Sequence, residues 1–339
     1  MKRFLFFSIS VLLMAFTIMS IFSSAEEVKC VIEPQFDEAW DFSEGLAAVK
    51  VGDKWGFIDK SGSYVIDPQF DEVWDFSEGL TRVYVGNKWG FIDKTGKCII
   101  NPQFENAKDF REGLAFIKTK GKYGCIDKEG KMVIEPRFDW AWWFTEGLAP
   151  VKTDGKWGYI DKTGSYVIEP RFEYPGCFGE GIARVAEGGK WGYIDNTGKY
   201  VIEPKFDRSM NFSGGMAAVI IGGKSSKWGY IDKTGTYVIE QKFDEVGNFS
   251  GGLACVRIGD KWGFVDKTGR YVIKPQFDNV GWGFSEGLAS VKVGDKWGFI
   301  DKTGKMVIEP QFDFAWVFSE GLAPLEVGGK YGYIKNPLK

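Results

Sequence analysis

The 339-residue chain contains no histidine. That removes a serine or cysteine nucleophile activated by imidazole, histidine-ligated zinc, and imidazole acid-base work. What remains for chemistry is 46 carboxylates, 43 Lys and Arg side chains, five cysteines and fourteen tryptophans. Two carboxylates could form a glycosidase-like acid pair, and several could ligate calcium through oxygen. Most of them, however, occur as copies. Asp59, Asp93, Asp127, Asp161, Asp195, Asp232, Asp266 and Asp301 hold one turn position, and Glu44, Glu78, Glu112 and Glu146 hold one loop position before a glycine. An active site needs one copy, so these are read as scaffold, and no spacing matches an EF-hand loop. No catalytic residue, metal site or cofactor is expected.

The cysteines are Cys30, Cys98, Cys125, Cys177 and Cys255, an odd number. Cys30 and Cys98 stand where other copies have Tyr or Met, Cys125 where they have Phe, and Cys255 where they have Ala. They are read as buried or free thiols, with at least one disulfide as the alternative. A Lys recurs nine times at the position of Lys54, which raises the question of an anionic ligand. The formal net charge of −3 and pI near 5.4 argue against nucleic acid. The expected role is packing: the lysine stem lies over the adjacent tryptophan and gains about 0.5–1 kcal/mol of cation–π energy.

Tryptophan divides into two sets. Trp55, Trp89, Trp157, Trp191, Trp228, Trp262 and Trp297 hold one recurring position. Trp40, Trp74, Trp140, Trp142, Trp143, Trp282 and Trp316 lie in the connections, and the column containing Trp40 also holds Lys108, Gly176, Met210 and Gly247. A position that accepts Trp, Lys, Gly or Met does not fix the fold of every copy. These seven are the candidate ligand-binding residues, because large rings supply contact area at small entropic cost. Folding down as anchors between neighbouring copies is the alternative.

The elements that must position them are repeats. The phrase Lys-Trp-Gly-Phe-Ile-Asp-Lys is centred on Trp55, Trp89, Tyr123, Trp157, Trp191, Trp228, Trp262, Trp297 and Tyr331, mostly 34 residues apart, a period that signals a repeat architecture. In each copy Leu46 to Val51 and Lys54 to Asp59 read as a hairpin about Gly52-Asp53. A turn at Asp59-Lys60-Ser61-Gly62 follows, with Asp capping and Gly left-handed. Tyr64-Val65-Ile66 is a third strand, closed by Asp67-Pro68. Alternation puts Trp55 and Phe57 on one face of the middle strand and Gly56 and Ile58 on the other, so each sheet needs a cover on both sides. Gly56 leaves room for a close neighbour. Three residues are added at Ile220 to Ser226 and one near Gly281-Trp282-Gly283, both read as outward-facing loops.

The fold expected is therefore all-β: nine three-stranded meanders of ~34 residues, repeating over about 31–334. The chain is cut out of phase, beginning in a third strand and ending in a second. An open curved stack is expected, with a closed propeller-like ring, completed by the N-terminal strand, as the alternative. Residues 335–339 are read as a polar cap. Met1 to Ala25, with Lys2-Arg3, an uncharged run and Ser23-Ser24-Ala25, reads as a signal peptide, an uncleaved anchor being the alternative; residues 26–339 then form the array.

The recurrent Lys-Trp-Gly-Phe-Ile-Asp-Lys-Thr-Gly, with Val-Ile-Glu-Pro-Gln-Phe and Phe-Ser-Glu-Gly-Leu-Ala, resembles the bacterial WG-repeat, or KWG-repeat, family over about residues 31–334. Tyr123 and Tyr331 depart from it by replacing Trp, and Gln241 by replacing Pro. The resemblance implies a β-rich, often exported or envelope-associated repeat module, and brings no catalytic residues with it. The function expected is a non-enzymatic module binding a protein or cell-wall glycan at the cell envelope, without membrane insertion once the leader is removed. A structural spacer, or an enzyme acting on polysaccharide, is the alternative.

Overall fold

The computed structural model describes residues 29–223 and 226–339, so the expected leader lies outside the described residues. After strand β1 (Cys30–Phe36), one unit comprises β2 (Glu38–Ala39), β3 (Ala47–Val51), β4 (Lys54–Ile58) and β5 (Tyr64–Phe70), hydrogen-bonded in that order as an antiparallel sheet. Nine such sheets follow one another. The meander is thus four-stranded: the connection holding the variable tryptophans contributes a two-residue strand that pairs Ala39 with Val49 and Glu38 with Lys50.

The turns follow the expected chemistry. Gly52 has φ 62°. At the second turn Asp59 Oδ1 accepts the Ser61 amide at 2.8 Å and the Ser63 amide at 3.1 Å, and Gly62 has φ 84°. The third strand does not stop at Pro68. It runs on to Phe70, with the register jumping from Phe57↔Ile66 to Trp55↔Phe70, so three residues of β5 face Gly56 alone. The edge position tolerates the missing proline donor. A Cβ on Gly56 would meet the Ile66 carbonyl oxygen at 2.5 Å and the Pro68 nitrogen at 2.6 Å, so the same bulge explains both the glycine and the proline.

Core side chains sit between successive sheets. Trp55, Phe57, Ile66 and Phe70 of one unit pack with Val73, Phe76, Val83 and Ile92 of the next, and the Phe57 and Phe76 rings meet edge to face at 4.9 Å. Polar ties repeat at the same joint. Ser43 Oγ donates to the Phe76 carbonyl at 2.9 Å, Glu44 Oε2 accepts the Gly79 amide at 3.0 Å, and Lys94 pairs with Glu44 at 3.0 Å. The copied carboxylates are scaffold, as their repetition indicates. The Lys54 column is not laid over tryptophan. Lys54 pairs with Asp71 of the next unit at 2.5 Å, and Lys122, Lys190, Lys227, Lys261, Lys296 and Lys330 do the same with Asp139, Asp207, Asp244, Asp278, Asp313 and Asp37. The cation over Trp55 is instead Lys50, on the paired strand, 5.7 Å from the ring centroid.

The array is a closed ring, not an open stack. The last sheet takes Phe314–Ala315, Leu322–Val327 and Lys330–Lys335 from the C-terminus and β1 from the N-terminus. Its joint to the first unit carries the same ties as the joint between the first and second units: Ser319 Oγ donates to the Phe42 carbonyl at 2.7 Å, Gly45 N to Glu320 at 3.0 Å, and Lys60 pairs with Glu320 at 3.0 Å. The C-terminal set of strands is one short and the N-terminus carries one in excess, because the two ends complete one sheet. Residues 336–339 do not cap an edge, since β1 covers it. Asn336 is buried, donating to the Glu286 carbonyl at 3.1 Å, and Lys339 pairs with Glu286 at 2.8 Å. All five cysteines are free thiols.

Candidate functional site

In each unit the chain leaves the short strand at the Trp40 position, passes the Asp41 position and turns at Phe42 to Leu46. These two positions, with the Ala48 position of β3, vary from unit to unit while the flanking Phe does not. One cavity of ≈ 440 Å³ is lined by Met210, Gly247, Gly281 and Trp316, equivalent residues of four successive units. A single concavity spanning four units of a closed ring lies on its inner side, because the outer side is convex. The variable columns therefore face the ring axis.

Two further cavities continue this one. A space of ≈ 290 Å³ lies among Trp316, Trp40 and Trp74 of the ninth, first and second units, and one of ≈ 650 Å³ runs from Trp74 past Arg82, Lys108 and Asp109 to Trp143. Trp316 is common to the first and second cavities and Trp74 to the second and third, so the three form one arc. Its two ends differ chemically. Where Gly247 and Gly281 replace a large residue the space is open and, among the described residues, no charged side chain lines it. At the other end Arg82, with 8% of its side chain exposed, is held by Asp109 at 2.7 Å and by the Ala107 carbonyl at 2.5 Å, and lies 4.2 Å over the Trp74 ring.

The seven candidate tryptophans all reach these walls or an adjoining one, but not as one patch. Trp74, Trp140 and Trp282 are 43%, 41% and 80% exposed. Trp40 and Trp142 are anchored, packing against core clusters and meeting the Trp55 and Trp157 rings at 5.1 and 6.0 Å. Trp140 and Trp142 line a separate space of ≈ 590 Å³ with Trp157, whereas Trp143 stacks on Trp142 and turns into the ionic end, with Arg111 5.3 Å over it. Trp140 itself is on a short strand, not in a loop. Trp282, in the one-residue insertion, marks the inner rim and not an outward edge.

Sequence reasoning overlooked Asp41 and Asp75. Burial pushes both carboxyls up to about 6, and for Asp75 the neighbouring Asp41 and Asp109 charges add to this. Asp41 Oδ1 is buried with no hydrogen-bond partner. The available signal was the Asp41 column, which reads Asp, Asp, Asp, Trp, Cys, Asn, Asn in units one to seven and so fails the same constancy test as the Trp40 column. A carboxyl whose folded value is raised holds its proton more tightly when folded, so stability falls as pH rises from about 4 to 6. The full penalty, on the order of 2 kcal/mol each, is present above 6. Asp207 works in the opposite sense: Lys190 and the Gly222 and Gly223 amides hold it at about 2, and its contribution is lost on acidification. The variant Asp41→Asn/Asp75→Asn should melt roughly 5 °C above the parent at pH 8 and no higher at pH 4. An equal gain at both pH values, read by thermal melts, would show that the charges are not the cause.

Residues 29–55, 55–89, 89–123, 123–157, 157–191, 191–224, 228–262, 262–297 and 297–331 each match the model of the WG containing repeat. No curated protein matches the sequence. Among solved structures, a eukaryotic initiation factor is similar at 13% identity and a TM-score of 0.60, covering 84% of this chain and 89% of that one. The WD40 domain of SCAP from fission yeast, at 10% identity, has a TM-score of 0.43 over 90% of this chain and 97% of its own. The likeness to the initiation factor is one of fold, a ring of small antiparallel sheets. Nine consecutive matches from residue 29 to residue 331 show that the chain belongs to the WG containing repeat family.

Proposed function

We propose that the ring is an exported, non-enzymatic binding module whose inner arc takes a protein or cell-envelope glycan partner. The observation that carries this reading is the continuity of the arc: Trp316 and Trp74 each line two cavities, joining an uncharged end to an ionic one across the ninth, first and second units. The columns facing it are those that vary, while the copied residues are occupied in holding units together. That division suits a scaffold presenting one dedicated surface. Exposed rings at its rim supply contact energy on burial, about 1.5–3 kcal/mol for each large side chain fully covered.

The test is co-sedimentation of the Glu26 to Lys339 protein with insoluble cell wall, with and without protease treatment of the wall. Trp74→Ala/Trp282→Ala removes the two most exposed tryptophans that line the arc. Affinity should fall by about 2 kcal/mol or more, roughly thirtyfold, in a variant with unchanged melting. Survival of parental binding after protease treatment identifies a glycan, and its loss a protein. Undiminished affinity in the folded variant removes the rim from the reading, and absence of any saturable binding favours a spacer.

A further inference from the structure

We infer that the middle of the arc is a cage for a compact organic cation of the trimethylammonium type. The space of ≈ 290 Å³ is walled by Trp316, Trp40 and Trp74 from three successive units and floored by Asp41 and Asp75. Trp40 and Trp74 stand edge to face at 5.6 Å, which fixes the angle between two of the walls. The inference rests on the inner arc being the binding surface and names the chemistry its narrowest part selects.

Three observations point to this ligand class. Electron-rich ring faces attract a cation, and tryptophan does so best among aromatic side chains. The two carboxylates leave uncompensated negative charge at the same place. The groups facing them are Tyr333, which is buried and whose hydroxyl donates to the Trp40 carbonyl at 2.8 Å, Asp109, which is engaged by Arg82, and, across the ionic space that Asp75 also lines, Lys108 and Arg111, which lie over the Trp140 and Trp143 rings. Arg82 lies on the far wall of Trp74 and is committed to Asp109 and the Ala107 carbonyl. Among the described residues neither Asp41 nor Asp75 is ion-paired, so a cation entering the space meets unpaired carboxylates. Third, among the described residues no group of three or more metal-ligating side chains is placed to hold a metal ion. Rings on three sides suit a cation that gives up its hydration readily, and a methylated ammonium does so where a primary ammonium or a metal ion does not.

The probe is tetramethylammonium, titrated into the Glu26 to Lys339 protein with tryptophan fluorescence and calorimetry as readouts; the neutral isostere 3,3-dimethyl-1-butanol is the control. Saturable binding is expected at pH 8, about tenfold tighter than for the alcohol. It should weaken as pH falls through about 6, where Asp41 and Asp75 take up protons. Asp41→Asn/Asp75→Asn should reduce the cation's affinity about tenfold and leave the alcohol's unchanged. Choline free in solution and choline displayed on phosphatidylcholine vesicles then separate a small-molecule from a headgroup source. Equal binding of cation and alcohol, or no response to the cation, overturns the cage. Wall binding that persists without a cation response overturns the cage alone, and a cation response without wall binding overturns the envelope reading alone.

Discussion

Gly158→Ala should cost about 3 kcal/mol of stability, and Gly158→Val should leave the protein unfolded. Gly158 is the middle-strand glycine of the fourth unit, and a Cβ there would lie 2.5 Å from the Ile168 carbonyl oxygen, 2.7 Å from the Pro170 nitrogen and 2.9 Å from the Glu169 carbonyl carbon. These are backbone atoms of the same sheet's third strand. They cannot rotate away as a side chain could, so relief requires the bulge carrying Pro170 to lift. Lifting it would withdraw Ile168 and Phe172 from the joint between the fourth and fifth units, where both are buried. The control is Gly155→Ala in the neighbouring turn, where φ is 80° but nothing lies within 4 Å. Its cost is only the left-handed backbone penalty, about 1 kcal/mol. Urea unfolding compares the two. Equal midpoints would mean that the bulge yields freely and that the glycine column has another cause.

Ile32→Ala/Phe36→Ala should destabilise the protein as severely as Ile66→Ala/Phe70→Ala. The two pairs occupy the same columns, one on β1 at the closure and one on β5 inside the ring. Ile32 and Phe36 are 4% and 1% exposed, Ile66 and Phe70 5% and 7%. Removing a buried Phe ring costs about 3–5 kcal/mol and a buried Ile side chain about 2–5 kcal/mol. In a closed ring both pairs incur that loss. In an open stack β1 would be a frayed terminal strand, and its pair would cost almost nothing. Similar denaturation midpoints for the two variants are the expected result, and a near-parental midpoint for the β1 pair would overturn closure. Deleting residues 26–36 carries the point further. It strips the partner from Lys330–Lys335, exposes Tyr333 and Ile334, and should raise the radius of gyration measured by scattering, with edge-to-edge association of the freed strand.

The repeat, its turns and its all-β character were legible because each rests on local chemistry copied nine times. Asp59 and Gly62 announce their turn from two residue types, and Lys54-Trp55-Gly56 announces a strand with a close neighbour. Closure was not legible, because no local feature of β1 separates a terminal cap from a strand paired with residues some three hundred positions away. The fourth strand was missed for a different reason: two residues such as Glu38-Ala39 carry no periodicity. The Lys54 pairing with Asp71 depends on which unit edge meets which, a fact of the joint and not of the phrase. Even the exception at Gln241 has a spatial cause. Its amide donates to the Ile221 and Lys227 carbonyls at 3.0 and 2.7 Å, tying down the one lengthened hairpin. At the candidate site, variability exposed the tryptophans, but attention to rings alone passed over Asp41 and Arg82, which vary in neighbouring columns.

Completion of the last sheet by β1 has a consequence for the order of events in folding. Among the described strands Cys30–Phe36 is made first, yet its partner, Lys330–Lys335, is made last. Eight sheets are contiguous in the chain and can form as synthesis proceeds, each closing a loop of a few tens of residues. Joining the two ends directly in an unfolded chain would cost about 2 kcal/mol more than closing one unit, since loop entropy grows with the logarithm of length. Growth of the arc brings the ends together and lowers that cost step by step. The ring is therefore sealed late, at the one sheet whose strands come from both ends of the chain.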